Sequence, residues 1–119
     1  MSGAPIIQHS LNIMLEFYYQ GLISLEKIVE KMAHHPAKLY SIEKRGFVRE
    51  GYYADITIVD LNQQYTVDKN NNQTKCGWSP LEGTTFHSMI THTFVNGNLV
   101  YDNGVFNEAS RGMPLVVKK

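Results

Sequence analysis

One hundred and nineteen residues, 43% of them apolar and 18% charged, suffice for one domain with a core and are too apolar for a disordered tail. Eleven Lys and Arg balance eleven Asp and Glu, and a net charge of zero argues against a nucleic-acid surface or a polybasic membrane patch. A single cysteine, Cys76, excludes an internal disulfide and a Cys-rich zinc site and fits a reducing, cytoplasmic setting.

No apolar run approaches the ~20 residues of a membrane span, and the N-terminus shows no secretory pattern. There is no internal repeat. Residues 10–20 carry Leu11, Met14, Leu15 and Tyr18 at i, i+3, i+4 and i+7, one face of a helix, with Ser10 as N-cap and Gly21 as stop. A second helix is predicted over 25–34, capped by Ser24, with Leu25, Ile28, Val29 and Met32 as its apolar stripe. Lys27 and Glu30 are spaced to pair on its wet face. Pro36 fits the first position of a short third helix.

Beyond Lys44 the pattern turns extended. Residues 55–60 alternate as a short strand, and 65–67 suggest another. Residues 69–74 read as a polar loop with no reason to pack. Residues 86–95 read as one long strand, and 98–101 return after Asn96-Gly97, a dipeptide suited to a type I′ turn. Asp102-Asn103-Gly104 makes a second turn before Val105-Phe106, and Leu115-Val116-Val117 could add a last strand. Helices first and an antiparallel meander second describe an α+β arrangement.

The chemistry-bearing residues form no complete active site. His34 and His35 are adjacent and point about 100° apart on a helix, an awkward geometry for one metal. They read as a helix-end cation and a surface residue. His87 and His92 are expected on opposite faces of one strand, and His9 as a capping or packing residue. Asp55 and Asp60 bracket a strand and are expected to bind turn amides. Cys76 has no neighbouring histidine to serve as base and reads as inert. Ser79 and Ser110 lack the Gly-x-Ser-x-Gly elbow.

Residues 34–61, HHPAKLYSIEKRGFVREGYYADITIVDL, resemble the end of the amidohydrolase superfamily pattern. The matching positions are His35-Pro36-Ala37-Lys38, Gly46, Val48, Gly51, Ala54-Asp55 and Asp60. Residues 75–106 are similar to the cyclic amidohydrolase branch. Ser79-Pro80-Leu81-Glu82-Gly83 looks like the Ser-Pro-Phe/Tyr-x-Gly of dihydroorotases and allantoinases. The opening SGAPIIQHSLNIML resembles the stretch after the last metal-ligand aspartate of dihydroorotases.

The resemblance implies an α+β C-terminal segment of a longer enzyme. Residues 1–45 would be the last helices of a (β/α)8 metal-dependent hydrolase barrel, and 46–119 the C-terminal part of a composite β-sandwich. The zinc ligands and the catalytic aspartate would lie upstream, so this chain would hold neither metal nor catalytic residue. Gly3, with Ser2, aligns with a turn whose backbone binds the substrate carboxylate. The implied activity of the whole enzyme is interconversion of N-carbamoyl-L-aspartate and dihydroorotate in pyrimidine biosynthesis. The isolated chain is then expected to be inactive, to need the missing barrel as partner, and to self-associate. The alternatives are an allantoinase-type fragment and a non-catalytic β-rich binding module.

Overall fold

The computed structural model describes residues 3–108 and 112–118, so Ser2 and Ser110 lie outside the described residues. The chain divides into two compact units, one of residues 1–23 and 60–89 and the other of residues 24–59 and 90–119.

In the first unit a 3-10 turn, Ile7–His9, runs directly into helix α1, Ser10–Tyr19. Ser10 is therefore not the N-cap expected for it. Because the preceding turn already bends the chain into the helix, the Ser10 hydroxyl donates back to the Ile7 carbonyl at 3.2 Å. Gly21 ends the helix as expected, at φ +78°, donating its N–H to Tyr18 O. The inward face of α1 is Leu15 with the polar Asn12, both buried. Strands β2 (Tyr65–Thr66) and β3 (Thr85–Phe86) pair antiparallel, with Tyr65 opposite Phe86. Val67 follows β2, fully buried, and both its backbone groups are bonded, to Thr84 O and Gly83 N. The polar loop after Asp68 is anchored, contrary to expectation. Gln8 donates from Nε2 to Asn71 O and accepts from Gln73 N, each at 2.7 Å, and Asn71 reaches Thr66 O.

In the second unit Ser24 caps helix α2 (Leu25–Val29), accepting from Lys27 N at 3.1 Å. The predicted break between a second and a third helix does not occur. The helix continues through a π-helical turn, Glu30–His34, into α3, His35–Leu39. The cause is Pro36. In a regular helix its ring would collide with the carbonyl four residues back, and widening the turn removes the collision. The His35 N–H accordingly reaches Glu30 O, five residues back.

Of the apolar stripe expected on this helix, only Ile28 is buried. Met32, one regular turn after the buried Ile28, is 40% exposed, and Val29 is exposed with it. Ala37 takes the inward position, and Ala33 lies against Gly46. Lys27 and Glu30 pair at 3.2 Å as their spacing suggests.

Four strands form the sheet in the order β1 (Ile56–Asp60), β4 (Met89–Val95), β5 (Asn98–Asp102) and β6 (Val105–Phe106). Asn96-Gly97 closes the β4–β5 hairpin with both residues at positive φ, and Asn103-Gly104 does the same between β5 and β6. The predicted strand 86–95 is broken at His87-Ser88. The His87 N–H that a ladder would use is bonded to the Glu16 carboxylate instead, at 3.0 Å. The tail contributes one bridge, Ile42 opposite Val117, in place of a strand.

Candidate functional site

Gly3 lies exposed at φ +90°, with open space where a side chain would project. Its backbone is accessible, as a residue that touches a ligand through main-chain atoms must be. Ala4 and Ile6 close a turn behind it at 2.9 Å, leading into the 3-10 turn that carries His9.

His9 packs, as the sequence suggests, and does so completely. Its ring is 2% exposed, lies 5.8 Å from the Tyr65 ring and stacks on Phe86. Nε2 is 3.4 Å from the Tyr65 hydroxyl, and Nδ1 is buried without a hydrogen-bond partner. Burial lowers the His9 pKa, because the imidazolium would lose its hydration there.

Glu16 holds His87 by two bonds, one from the backbone N–H and one from Nδ1 at 2.7 Å. Tyr19, one turn further along α1, stacks on the His87 ring at 4.3 Å. Burial alone would push the Glu16 carboxyl up. The His87 backbone bond, ring bond and charge together outweigh it and bring the group below the usual carboxylate range. Nothing local in the sequence connects these two positions, which lie 71 apart, so the pairing is visible only in the fold.

The other histidines are separately engaged. His34 Nδ1 bonds Gly46 O at 2.7 Å and its ring stacks on Phe47 at 4.1 Å. His35 meets Glu30 at 3.1 Å, and His92 meets Asp102 at 3.2 Å. His87 lies outside β4, so the expectation that it and His92 face opposite sides of one strand does not apply. Asp60 and Asp55 do bind turn amides, those of Asn62 and Asn96, each at 2.9 Å. Asp55 in addition pairs with the buried Arg45, whose guanidinium lies 4.4 Å over Tyr53. Cys76 is exposed, and its pKa is lowered by a backbone hydrogen bond at Trp78 and by the Thr74 hydroxyl, with no contribution from Lys75.

Among the described residues, no group of three or more His, Cys, Asp or Glu could hold a metal ion. No described helix is long and apolar enough to cross a membrane.

The family model of the amidohydrolase family matches residues 4–100, most of the chain. The chain belongs to the amidohydrolase family. It is 35% identical over 117 residues to the dihydroorotase of Pyrococcus furiosus, covering 98% of this chain and 28% of that protein. To the dihydroorotase of Acetivibrio thermocellus it is 42% identical over 80 residues, 67% of this chain and 18% of that one. Its fold superposes on an L-hydantoinase (dihydropyrimidinase) from Arthrobacter aurescens with a TM-score of 0.82 at 32% identity, over 88% of this chain and 24% of that one. The chain thus spans little more than a quarter of the length of the curated amidohydrolases it matches over nearly all its residues.

The family's metal does not fit the residues described here. Each histidine that could donate to it is held by a different partner, and no three donors converge.

The acid response of the first unit follows from Glu16 and His9. Glu16 has a folded pKa below its ordinary 4.5, so its contribution is complete above that value and is lost as pH falls through the folded pKa. His9 has a folded pKa below 6.5, so the unfolded chain takes up its proton first. Stability then declines from about pH 6.5 downward until the folded ring titrates. Both effects weaken the unit in acid. The only tryptophan, Trp78, belongs to this unit and reports on it. Its fluorescence during urea unfolding should show a midpoint that falls from pH 7 to pH 3, with a smaller fall in Glu16→Gln. An unchanged acid loss in that variant would remove Glu16 from the account.

Proposed function

We propose that this chain is the C-terminal portion of a zinc-dependent dihydroorotase-type cyclic amidohydrolase, hydrolysing and closing a cyclic amide between dihydroorotate and N-carbamoyl-L-aspartate in pyrimidine biosynthesis. The observation that carries the reading is the dihydroorotase match across 98% of the chain. The Ser79-Pro80-Leu81-Glu82-Gly83 segment supports it, since the resemblance assigns that pattern to dihydroorotases and allantoinases. Residues 1–45 then end the catalytic barrel and 46–119 belong to the composite β-sandwich. The barrel is the partner of these residues, the setting is cytoplasmic, and the chain alone self-associates through the surface the barrel would cover.

The work left to this segment is positional. Gly3, with Ser2, presents backbone groups to the substrate carboxylate, and the open space at Gly3 is what such an approach needs. The family's metal would be held by residues elsewhere in the enzyme, where it would lower the pKa of a bound water and polarise a carbonyl. A hydantoin-type ring is the second reading, favoured by the TM-score of 0.82 to the L-hydantoinase.

The test pairs the 119-residue chain with the longer enzyme that contains it. Dihydroorotate and hydantoin are offered to both, and the metal content of each is measured after dialysis against a weak chelator. The longer enzyme should turn over dihydroorotate and retain zinc, and the short chain should do neither. Turnover of hydantoin alone by the longer enzyme would favour the second reading. Turnover by the short chain, coeluting with its protein peak, would defeat the assignment of catalysis to residues outside it.

A further inference from the structure

In the second unit, the turn after α3, the tail at Lys118 and the Phe47–Tyr52 segment enclose an open cleft of about 630 Å3. That volume lies in the range of small-molecule sites. The chain as a whole carries no net charge, yet five cationic side chains line this cleft against one carboxylate, Glu43. Arg45 is committed to Asp55. Among the described residues, Lys38, Lys44, Arg49 and Lys118 have no carboxylate within 4 Å.

The backbone that carries these cations is held in place. Lys44 and Lys118 belong to segments tied by backbone bonds: Lys118 N to Ser41 O at 2.9 Å, Tyr53 N to Lys44 O at 2.9 Å and Glu43 N to Val116 O at 2.8 Å. Ser41 and Lys44 sit at φ +53° and +56°, a left-handed conformation that ordinary residues adopt at a cost. The Arg49 guanidinium lies 4.1 Å over the Phe47 ring, whose stacking on His34 fixes it. Lys38 approaches the same ring at 5.7 Å.

We propose that this cleft binds the phosphate group of a small phosphorylated metabolite, through Arg49 as a planar fork and Lys38, Lys44 and Lys118 as point charges. Unpaired like charges crowded in one recess repel one another, and a compact multivalent anion relieves that repulsion at several of them together. Phosphate suits the arrangement better than a carboxylate, because its oxygens diverge toward cations on different walls. The proposal is independent of the catalytic reading above.

Inorganic pyrophosphate and succinate are the probes, titrated calorimetrically into the 119-residue chain at low salt. Pyrophosphate should bind and weaken as salt rises. The exposed pair Lys44→Gln/Lys118→Gln should lower its affinity about tenfold or more, the loss of one or two charge-assisted bonds. Lys27→Gln/Lys69→Gln, which lie outside the cleft, should leave it unchanged. Circular dichroism confirms that each variant is folded. Absence of pyrophosphate binding, or an equal loss in the control pair, overturns the site. Succinate binding as tightly, with the same sensitivity to the variants, overturns the assignment to phosphate.

Discussion

Gly46→Ala should cost about 2–5 kcal/mol in urea unfolding, combining a left-handed backbone at about 1–2 kcal/mol with overpacking at about 1–3 kcal/mol. The residue sits at φ +82°, and a Cβ there would lie 2.4 Å from Ala37 Cβ and 2.8 Å from Ala33 O. One of those neighbours is backbone in the wide helical turn, and the other is a buried methyl with no rotamer to change. Gly51→Ala is the control. It shares the positive φ, at +81°, but has nothing within 4 Å, so it should lose only the backbone component, about 1–2 kcal/mol. Since domains are stable by only about 5–15 kcal/mol, the Gly46 variant should be visibly compromised. Equal losses in the two variants would mean that the helix and the Gly46 turn yield freely, against the close approach described.

Asp55→Ala should destabilise the second unit by about 3 kcal/mol, the scale for stripping one partner from a buried ion pair. Arg45 is 8% exposed and would keep its charge with no carboxylate beside it, retaining only the Tyr53 ring. The variant also removes the acceptor for Asn96 N–H, at the turn of the β4–β5 hairpin. Arg45→Met/Asp55→Ala should regain much of the loss, because an apolar side chain of similar volume needs no counter-charge. Thermal unfolding of the two variants side by side is the check. A double variant no better than Asp55→Ala would mean that the Asn96 bond, and not the stranded guanidinium, carries the effect.

How much of this was legible beforehand depends on how local each cause is. Asn96-Gly97 and Asn103-Gly104 could be read as turns because each dipeptide carries its own requirement for positive φ. The caps by Ser24, Asp55 and Asp60 were legible for a similar reason, since short polar side chains beside an element seek its free amides. The stretch at His87-Ser88 has the same alternation as a strand. What breaks it is a carboxylate 71 residues earlier, which no periodicity can register. The helix running on past His34 was not legible, because Pro36 reads as a helix start and the wide turn that accommodates it has no periodic signature. The family was legible through spaced motifs, and the structure supplies a physical reason for three of their positions, Ala37 and Gly46 against each other and Asp55 against Arg45. The cationic cleft was not legible, because its charges come from α3, the turn after it, the loop carrying Arg49 and the tail, and the chain total of zero conceals them.

The wide turn at Glu30–His34 works as a phase shifter. It takes up about one extra residue, so the second half of one continuous rod lags the first by roughly 100°. Before the turn the inward azimuth passes through Ile28, and after it through Ala37, nine residues on. An undistorted helix would bring that azimuth back at positions seven, eight or eleven residues on, so Ala37 would swing off the interior. Pro36 and Gly46 are therefore two parts of one lock: the proline sets the azimuth of Ala37, and the glycine supplies the notch that receives it. Neither is useful without the other. A change at Pro36 that straightened the rod would leave the notch at Gly46 facing an empty space, although the two residues stand ten apart in the chain.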